Sequence, residues 1–342
     1  MYHQTGHTGI AELGRQIEGM IPTATFPKQL GFVALPYSQG TGFFANLLLY
    51  HELGHFVLEE LSSSSQALID LDARLAAETD DAFKNRASNA GVRAFALQVI
   101  RSWTHEVFCD LFALHLIGPA FSFAFVDLLN LLDILEAPTT ISFNESHPAP
   151  ACRFREHLQA LKTLGWWSLL DDVKAPQKTT IERLAAHGND DYRLDLHGDL
   201  VKDELLVPAF LRVLPEISIS ARALTSTISV PAEEFGLYRT HIETCLLYGV
   251  VPSVPSTNAK VPSPVYVMNA CFTFYLTSLE RLIEALGKSP HNIEERSKWT
   301  QRLEGWTQKA VEDIQLLNRR KGGSARGGSF ETRNSKTNAS SD

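Results

Sequence analysis

Cysteine is scarce in this chain. Four are spread over 342 residues, Cys109, Cys152, Cys245 and Cys271, with no Cys-x-x-Cys pair among them. That spacing excludes a zinc ribbon and a disulfide framework and fits a reducing, cytoplasmic setting. Long uncharged apolar runs are also missing. The most apolar region, Val107 to Leu135, is interrupted by Asp110, His115, Asp127 and Asp133, and no basic-then-apolar leader opens the chain, so no membrane span is expected. Positive charge is short as well: the formal net charge is −8, which argues against a general nucleic-acid binder. The last stretch, from Arg319-Arg320-Lys321 through Arg326, Arg333 and Lys336, is locally basic in a Gly- and Ser-rich context. Such a composition builds no core, so 321–342 is expected to be a disordered tail. No internal repeat is present.

What is there suits a globular protein of one large domain or two ordinary ones, with 44% hydrophobic residues. A short amphipathic helix is expected around Ile10 to Met20, and Leu30 to Pro36 has the composition of a buried or edge strand. Ser38 to Gly42 makes a turn into an apolar helix that should end near the Ser62 to Ser65 run. Asp70 to Ala87 is charged and helical or partly mobile. Ala94 to Leu116 forms a second long apolar helix stopped by Gly118-Pro119, and Ala120 to Leu135 a third. After a loop at 146–150, helical spacing resumes over Cys152 to Leu164, then over Val207 to Leu214, Glu234 to Gly249 and Met268 to Leu286. The expected organisation is a unit at 1–165, a mainly helical region at 166–320 and the tail.

The first apolar helix carries His51-Glu52-Leu53-Gly54-His55. Two imidazoles four residues apart on a helix point the same way and can share one ion, with the intervening carboxylate beside the open coordination position. On so apolar a helix, two His and a Glu are costly unless something satisfies them, and one Zn2+ ion does so. A catalytic zinc takes three protein ligands and leaves a place for water. Glu106, on the second apolar helix, is the preferred third donor. Asp110, four residues on and on the same face, is suited to hold an imidazole N–H. His105, Glu59, Glu78 and Asp110 itself are rival donors, and Glu106 with Asp110 could instead belong to a solvated face.

His51-Glu52-Leu53-Gly54-His55 followed by Glu106-Val107-Phe108-Cys109-Asp110 resembles the gluzincin metallopeptidases, whose zinc is held by two His and a Glu. Ser146-His147-Pro148-Ala149-Pro150, with Arg153 shortly after, is similar to a segment of the HtpX and CAAX-processing zinc peptidases. Glu106 to Phe121 is also similar to the corresponding helix of ImmA/IrrE-type regulator peptidases. The resemblance covers about residues 30 to 165 and implies a zincin-like core. It also implies Glu52 as general base, His147 as a hydrogen-bond donor near the substrate carbonyl, and Arg153 as a group orienting the substrate or the site. His147 could instead cap the following helix, and Arg153 could be a surface ion-pair partner. Members of the similar group are commonly membrane proteins, unlike the span-free chain read here.

The resulting expectation is a mainly α (α+β) protein with a small sheet and a helical C-terminal region, acting as a zinc metallopeptidase on a peptide or protein substrate. The alternative is a non-catalytic module in which zinc joins two helices and a Cys or His fills the remaining position.

Overall fold

A helix that is apolar on every side has to be covered on every side, and the stretch around Ala94 to Leu116 sets the architecture for that reason. The computed structural model describes residues 42–84, 90–131, 137–173, 177–195, 203–226, 229, 232–252 and 263–327. A 3-10 turn at Ala45–Leu48 leads into α1 (Leu49–Leu61), then α2 (Gln66–Phe83), α3 (Ala90–Ile117) and α4 (Pro119–Leu131). Next come α5 (Ala137–Ile141), β1 (Ser142–Phe143), α6 (Pro150–Thr163), α7 (Ser168–Asp171), α8 (Gln177–Ala185) and β2 (Arg193–Leu194). The C-terminal helices are α9 (Asp203–Thr225), α10 (Phe235–Leu247), α11 (Pro264–Thr277), α12 (Leu279–Ala285) and α13 (Ile293–Gly327). The fold is therefore mainly helical, and its small sheet is one parallel pair, with Ser142 opposite Arg193 and Phe143 opposite Leu194.

α3 is the axis. Trp103, Val107, Phe108, Cys109 and Leu114 along it are fully buried, beneath α1, α2, α6 and α9. It ends where Gly118 adopts φ +69°, a left-handed conformation that glycine enters without a Cβ clash, and Pro119 opens α4 at once. Asn269 of α11 locks this corner: its Oδ1 accepts from Ala120 N at 2.7 Å and its Nδ2 donates to Ile117 O at 2.8 Å.

Several sequence expectations are changed. The apolar face of α9, including Leu206, Phe210, Val213 and Ile217, lies along α2 and α3. Buried residues from Phe44 to Ile314 belong to one hydrophobic cluster. The helix expected over Val207 to Leu214 extends through Pro208 and Pro215. Both prolines stand on the exposed side of the helix, where a carbonyl left without its helical partner can turn to water at little cost. The helix expected over Met268 to Leu286 is two helices broken at Ser278. α13 continues past Lys321 to Gly327, so the expected tail begins as helix, and 328–342 lie outside the described residues. The expected elements at Ile10 to Met20 and Leu30 to Pro36 also lie outside them. No helix among the described residues is long and apolar enough to cross a membrane.

Candidate metal centre

α1 and α3 cross where Gly54 meets Cys109. A Cβ built on Gly54 would stand 2.8 Å from Cys109 Cα and 3.0 Å from its Cβ and Sγ, closer than carbon atoms pack. Glycine at this position lets the two backbones touch, and the touch sets the histidines of α1 opposite Glu106 and Asp110 of α3.

The donors converge. His51 Nε2 and His55 Nε2 are 3.2 Å apart. The carboxylate of Glu106 reaches both, with Oε2 at 3.5 Å from His51 Nε2 and Oε1 at 3.6 Å from His55 Nε2. Cys109 belongs to the same cluster, its Sγ lying with the two imidazole ligand atoms inside a mutual distance of 4.8 Å. His51, His55 and Cys109 thus form a possible metal-binding group, and the Glu106 carboxylate stands beside the same two ring nitrogens. His51 donates from Nδ1 to Asp110 Oδ1 at 2.8 Å, which turns the lone pair of Nε2 toward His55 and Glu106.

Asp110 is buried behind this layer and held by Arg153, whose Nε donates to Oδ2 and whose second terminal nitrogen donates to Oδ1, each at 2.7 Å. Arg153 also comes within 3.4 Å of Glu106 Oε2 and lies over the Phe125 ring. It is therefore a buried brace of the site and not a surface ion-pair partner. His157, fully buried on α6, brings Nε2 to 3.3 Å from Asp110 Oδ2 but is poorly aligned for a hydrogen bond.

The charges settle accordingly. Burial alone would raise the Asp110 carboxyl, but the Arg153 guanidinium holds it well below the usual range. Burial acts the same way on Glu106, and its hydrogen bond to His51 with the Arg153 charge brings it down to about 2. For His51 burial lowers the pKa, yet Asp110 and Glu106 lift it to about 9. His55 is lowered by burial and by the charge of His51. The Cys109 thiol is pushed well up by burial and by Glu106 and Asp110. Two carboxylates against one guanidinium leave an excess negative charge, and without a metal His51 takes a proton to offset it. A divalent cation would occupy the place of that proton.

His147 arrives on the loop before α6. Asn144 Oδ1 accepts from the backbone N of Ser146 and of His147 at 2.9 and 2.7 Å, an Asx-type turn. That loop is pinned to α3 by Trp103 Nε1 donating to Asn144 O and Ser102 Oγ donating to Ser146 O. His147 Nε2 is 3.7 Å from Glu106 Oε2 and Nδ1 is 2.8 Å from Ser146 Oγ, so the loop aims the ring inward and does not use it as a cap. His147 and His55 keep 40% and 37% side-chain exposure against 11% for His51, and Glu52 is exposed. The cluster is thus closed on the Cys109 side and open on the Glu52 side.

The structure brings together His51, His55, Glu106, Asp110, His147 and Arg153. Of the rival donors, Glu78 pairs with Arg74 and Arg212, Asp110 is taken up by His51 and Arg153, and Glu59 and His105 line a cleft together with His55. Sequence reasoning missed Cys109, Asn144 and His157. Only Cys109 left a signal, standing between Glu106 and Asp110. Comparison with protein-family models, with curated proteins and with solved structures finds no match for this chain.

Proposed function

We propose that this chain is a zinc-dependent metallopeptidase with a zincin-like helical core, in which His51, His55 and Glu106 hold one Zn2+ and Glu52 is the general base. One observation carries the reading: the ring nitrogens and the carboxylate oxygens are separated by 3.2, 3.5 and 3.6 Å. Ligand atoms about 2.0–2.1 Å from a tetrahedral zinc stand roughly 3.3–3.4 Å apart, so the two ring nitrogens have the spacing of one coordination sphere and each carboxylate oxygen stands near that distance from one of them. Bound zinc supplies Lewis acidity, acidifying water and polarising a carbonyl.

The remaining work belongs to the chain. Glu52, on the open side, takes the proton of the attacking water and delivers it to the leaving amine. Ser146 Oγ donates its proton to Asn144 Oδ1, so His147 donates from Nδ1 to that hydroxyl; a protonated His147 would in addition donate from Nε2 to the oxygen on which charge develops, a contribution of roughly 3 kcal/mol. Arg153 and Asp110 fix the orientation of His51. Glu52→Gln tests this: zinc content by elemental analysis stays at one per chain, while hydrolysis of a peptide library falls by roughly 10²–10⁴-fold. Unchanged hydrolysis eliminates Glu52 as the base.

A second reading rests on Cys109. If its thiolate joins His51, His55 and Glu106 as a fourth ligand, the site is closed by protein and structural, joining α1 to α3. The Co2+-substituted protein separates the two, because a sulfur ligand adds an intense near-ultraviolet charge-transfer band that a two-His, one-Glu site lacks. Cys109→Ser removes that band only under the second reading.

A further inference from the structure

His55 also forms one end of a cleft that the proposed chemistry does not use. The cleft lies between α1, α2 and α3 and has a volume of about 550 Å³, within the range of ligand sites. Its floor is apolar: Leu58, Leu68, Leu71 and Leu75 line it and are each less than a tenth exposed, as is Thr104 beside them. Its rim is polar. Arg101 donates to Asp72 Oδ1 from Nε at 3.0 Å and from a terminal nitrogen at 2.7 Å, so their charges cancel locally. That leaves the exposed carboxylate of Glu59 as the uncompensated charge among the described rim residues.

A dry floor under a polar rim, opening beside one of the metal donors, has the form of a side-chain subsite. We propose that this cleft receives an aliphatic or aromatic side chain of the substrate peptide next to the scissile bond, and that the Glu59 carboxylate disfavours an acidic neighbour. The volume accommodates one large side chain and the backbone that carries it, and the mixed rim can satisfy that backbone. Leu- and Phe-sized residues fit the floor, whereas Asp would be buried there without a partner. The proposal rests on the peptidase reading for its orientation toward the metal, but the binding itself does not require turnover.

The experiment uses the full chain carrying Glu52→Gln, supplemented with zinc, and follows side-chain methyl resonances by NMR. The probes are acetylated, amidated tetrapeptides in which one position is Leu, Phe, Ala, Lys or Asp. Leu and Phe peptides are expected to shift the methyls of Leu68, Ile69, Leu71 and Leu75 and to bind roughly tenfold or more tightly than Ala or Asp peptides. Ile69→Asp and Ser62→Trp, both at exposed cleft positions and so tolerated by the fold, are expected to abolish that preference. Shifts confined to other surfaces, or equal binding of Leu and Asp peptides, overturn the cleft as a subsite. If that result accompanies library cleavage by the wild type, the cleft alone fails. Cleft binding without any wild-type cleavage overturns the peptidase reading and the placement next to a scissile bond, while the cleft stands as a binding site for an apolar side chain.

Discussion

Gly54→Ala is the sharpest probe of the helix crossing that builds the site. The added Cβ would meet Cys109 Cα at 2.8 Å and Cys109 Cβ and Sγ at 3.0 Å, where ordinary carbon contacts need about 3.5–4.0 Å. α1 and α3 must then separate by roughly 1 Å, because backbone atoms cannot swing aside as a flexible side chain does. Overpacking of this kind costs about 1–3 kcal/mol, and the better helix propensity of alanine returns about 1 kcal/mol. The expected net loss is about 1 kcal/mol, measured by urea denaturation of metal-free protein. The effect on the metal is larger in consequence. Opening the crossing by that amount carries Glu106 from 3.5 and 3.6 Å to roughly 4.5 Å from the two ring nitrogens. Two ligands on one zinc can be at most about 4.2 Å apart, twice the bond length. Zinc affinity, read by competition with a chromophoric chelator, should therefore fall by roughly 100-fold or more. Gly305→Ala is the control. A Cβ there meets nothing within 4 Å, on the helix α13, so the same substitution should stabilise by about 1 kcal/mol and leave zinc binding alone. Zinc binding by Gly54→Ala equal to that of the wild type would refute the reasoning that the α1–α3 contact sets the donor spacing.

Other perturbations reach different layers. Arg153→Met strips the brace from Asp110 and should cost about 3 kcal/mol in metal-free protein, and visibly less once zinc restores the positive charge, as thermal denaturation with and without chelator will show. Asn144→Ala dissolves the turn that holds His147, lowering turnover roughly tenfold or more while leaving the stoichiometry of bound zinc unchanged. His115, buried beside Arg222, is lowered to about 4 from 6.5. It stays neutral in the native state while the unfolded chain takes up a proton below pH 6.5, so its contribution is full above that pH and is lost as pH falls toward 4. Asp127, raised to about 6 by burial, acts in the opposite sense, losing stability as pH rises from about 4 to 6. The test is therefore a difference: between pH 7 and pH 4.5, His115→Gln should lose about 2–3 kcal/mol less stability than the wild type, measured in chelator by urea denaturation.

The helices nearest the donors were the most legible from residues alone. The end of α1 at Leu61 and the stop of α3 at Gly118 are written in local chemistry, a polar Ser run and a Gly-Pro pair. Glu106 and Asp110 could be paired because helical spacing fixes their common face. Cys109 was not legible as a neighbour of the imidazoles, since its approach depends on how close two helices cross, and that is decided by a missing side chain at Gly54. Asn144 escaped for a similar reason: its role is to accept two backbone N–H groups, and nothing in an Asn followed by Glu announces which loop it will fold. The paired strands, Ser142–Phe143 and Arg193–Leu194, are too short to show alternation. α9 was cut short at Pro215 because an interior proline normally ends a helix, and only its exposed placement explains why this one does not.

The grip of Asn269 on the corner between α3 and α4 has a practical corollary. One amide from α11 satisfies backbone groups at both Ile117 and Ala120, and α9 roofs α2 and α3, so the N-terminal half should depend on the C-terminal half for its fold. Expression of residues 1–165 alone would uncover Leu71, Leu75 and Trp103 to water and should yield an aggregating fragment. Any survey of this chain's chemistry has to keep its carboxyl-terminal half attached.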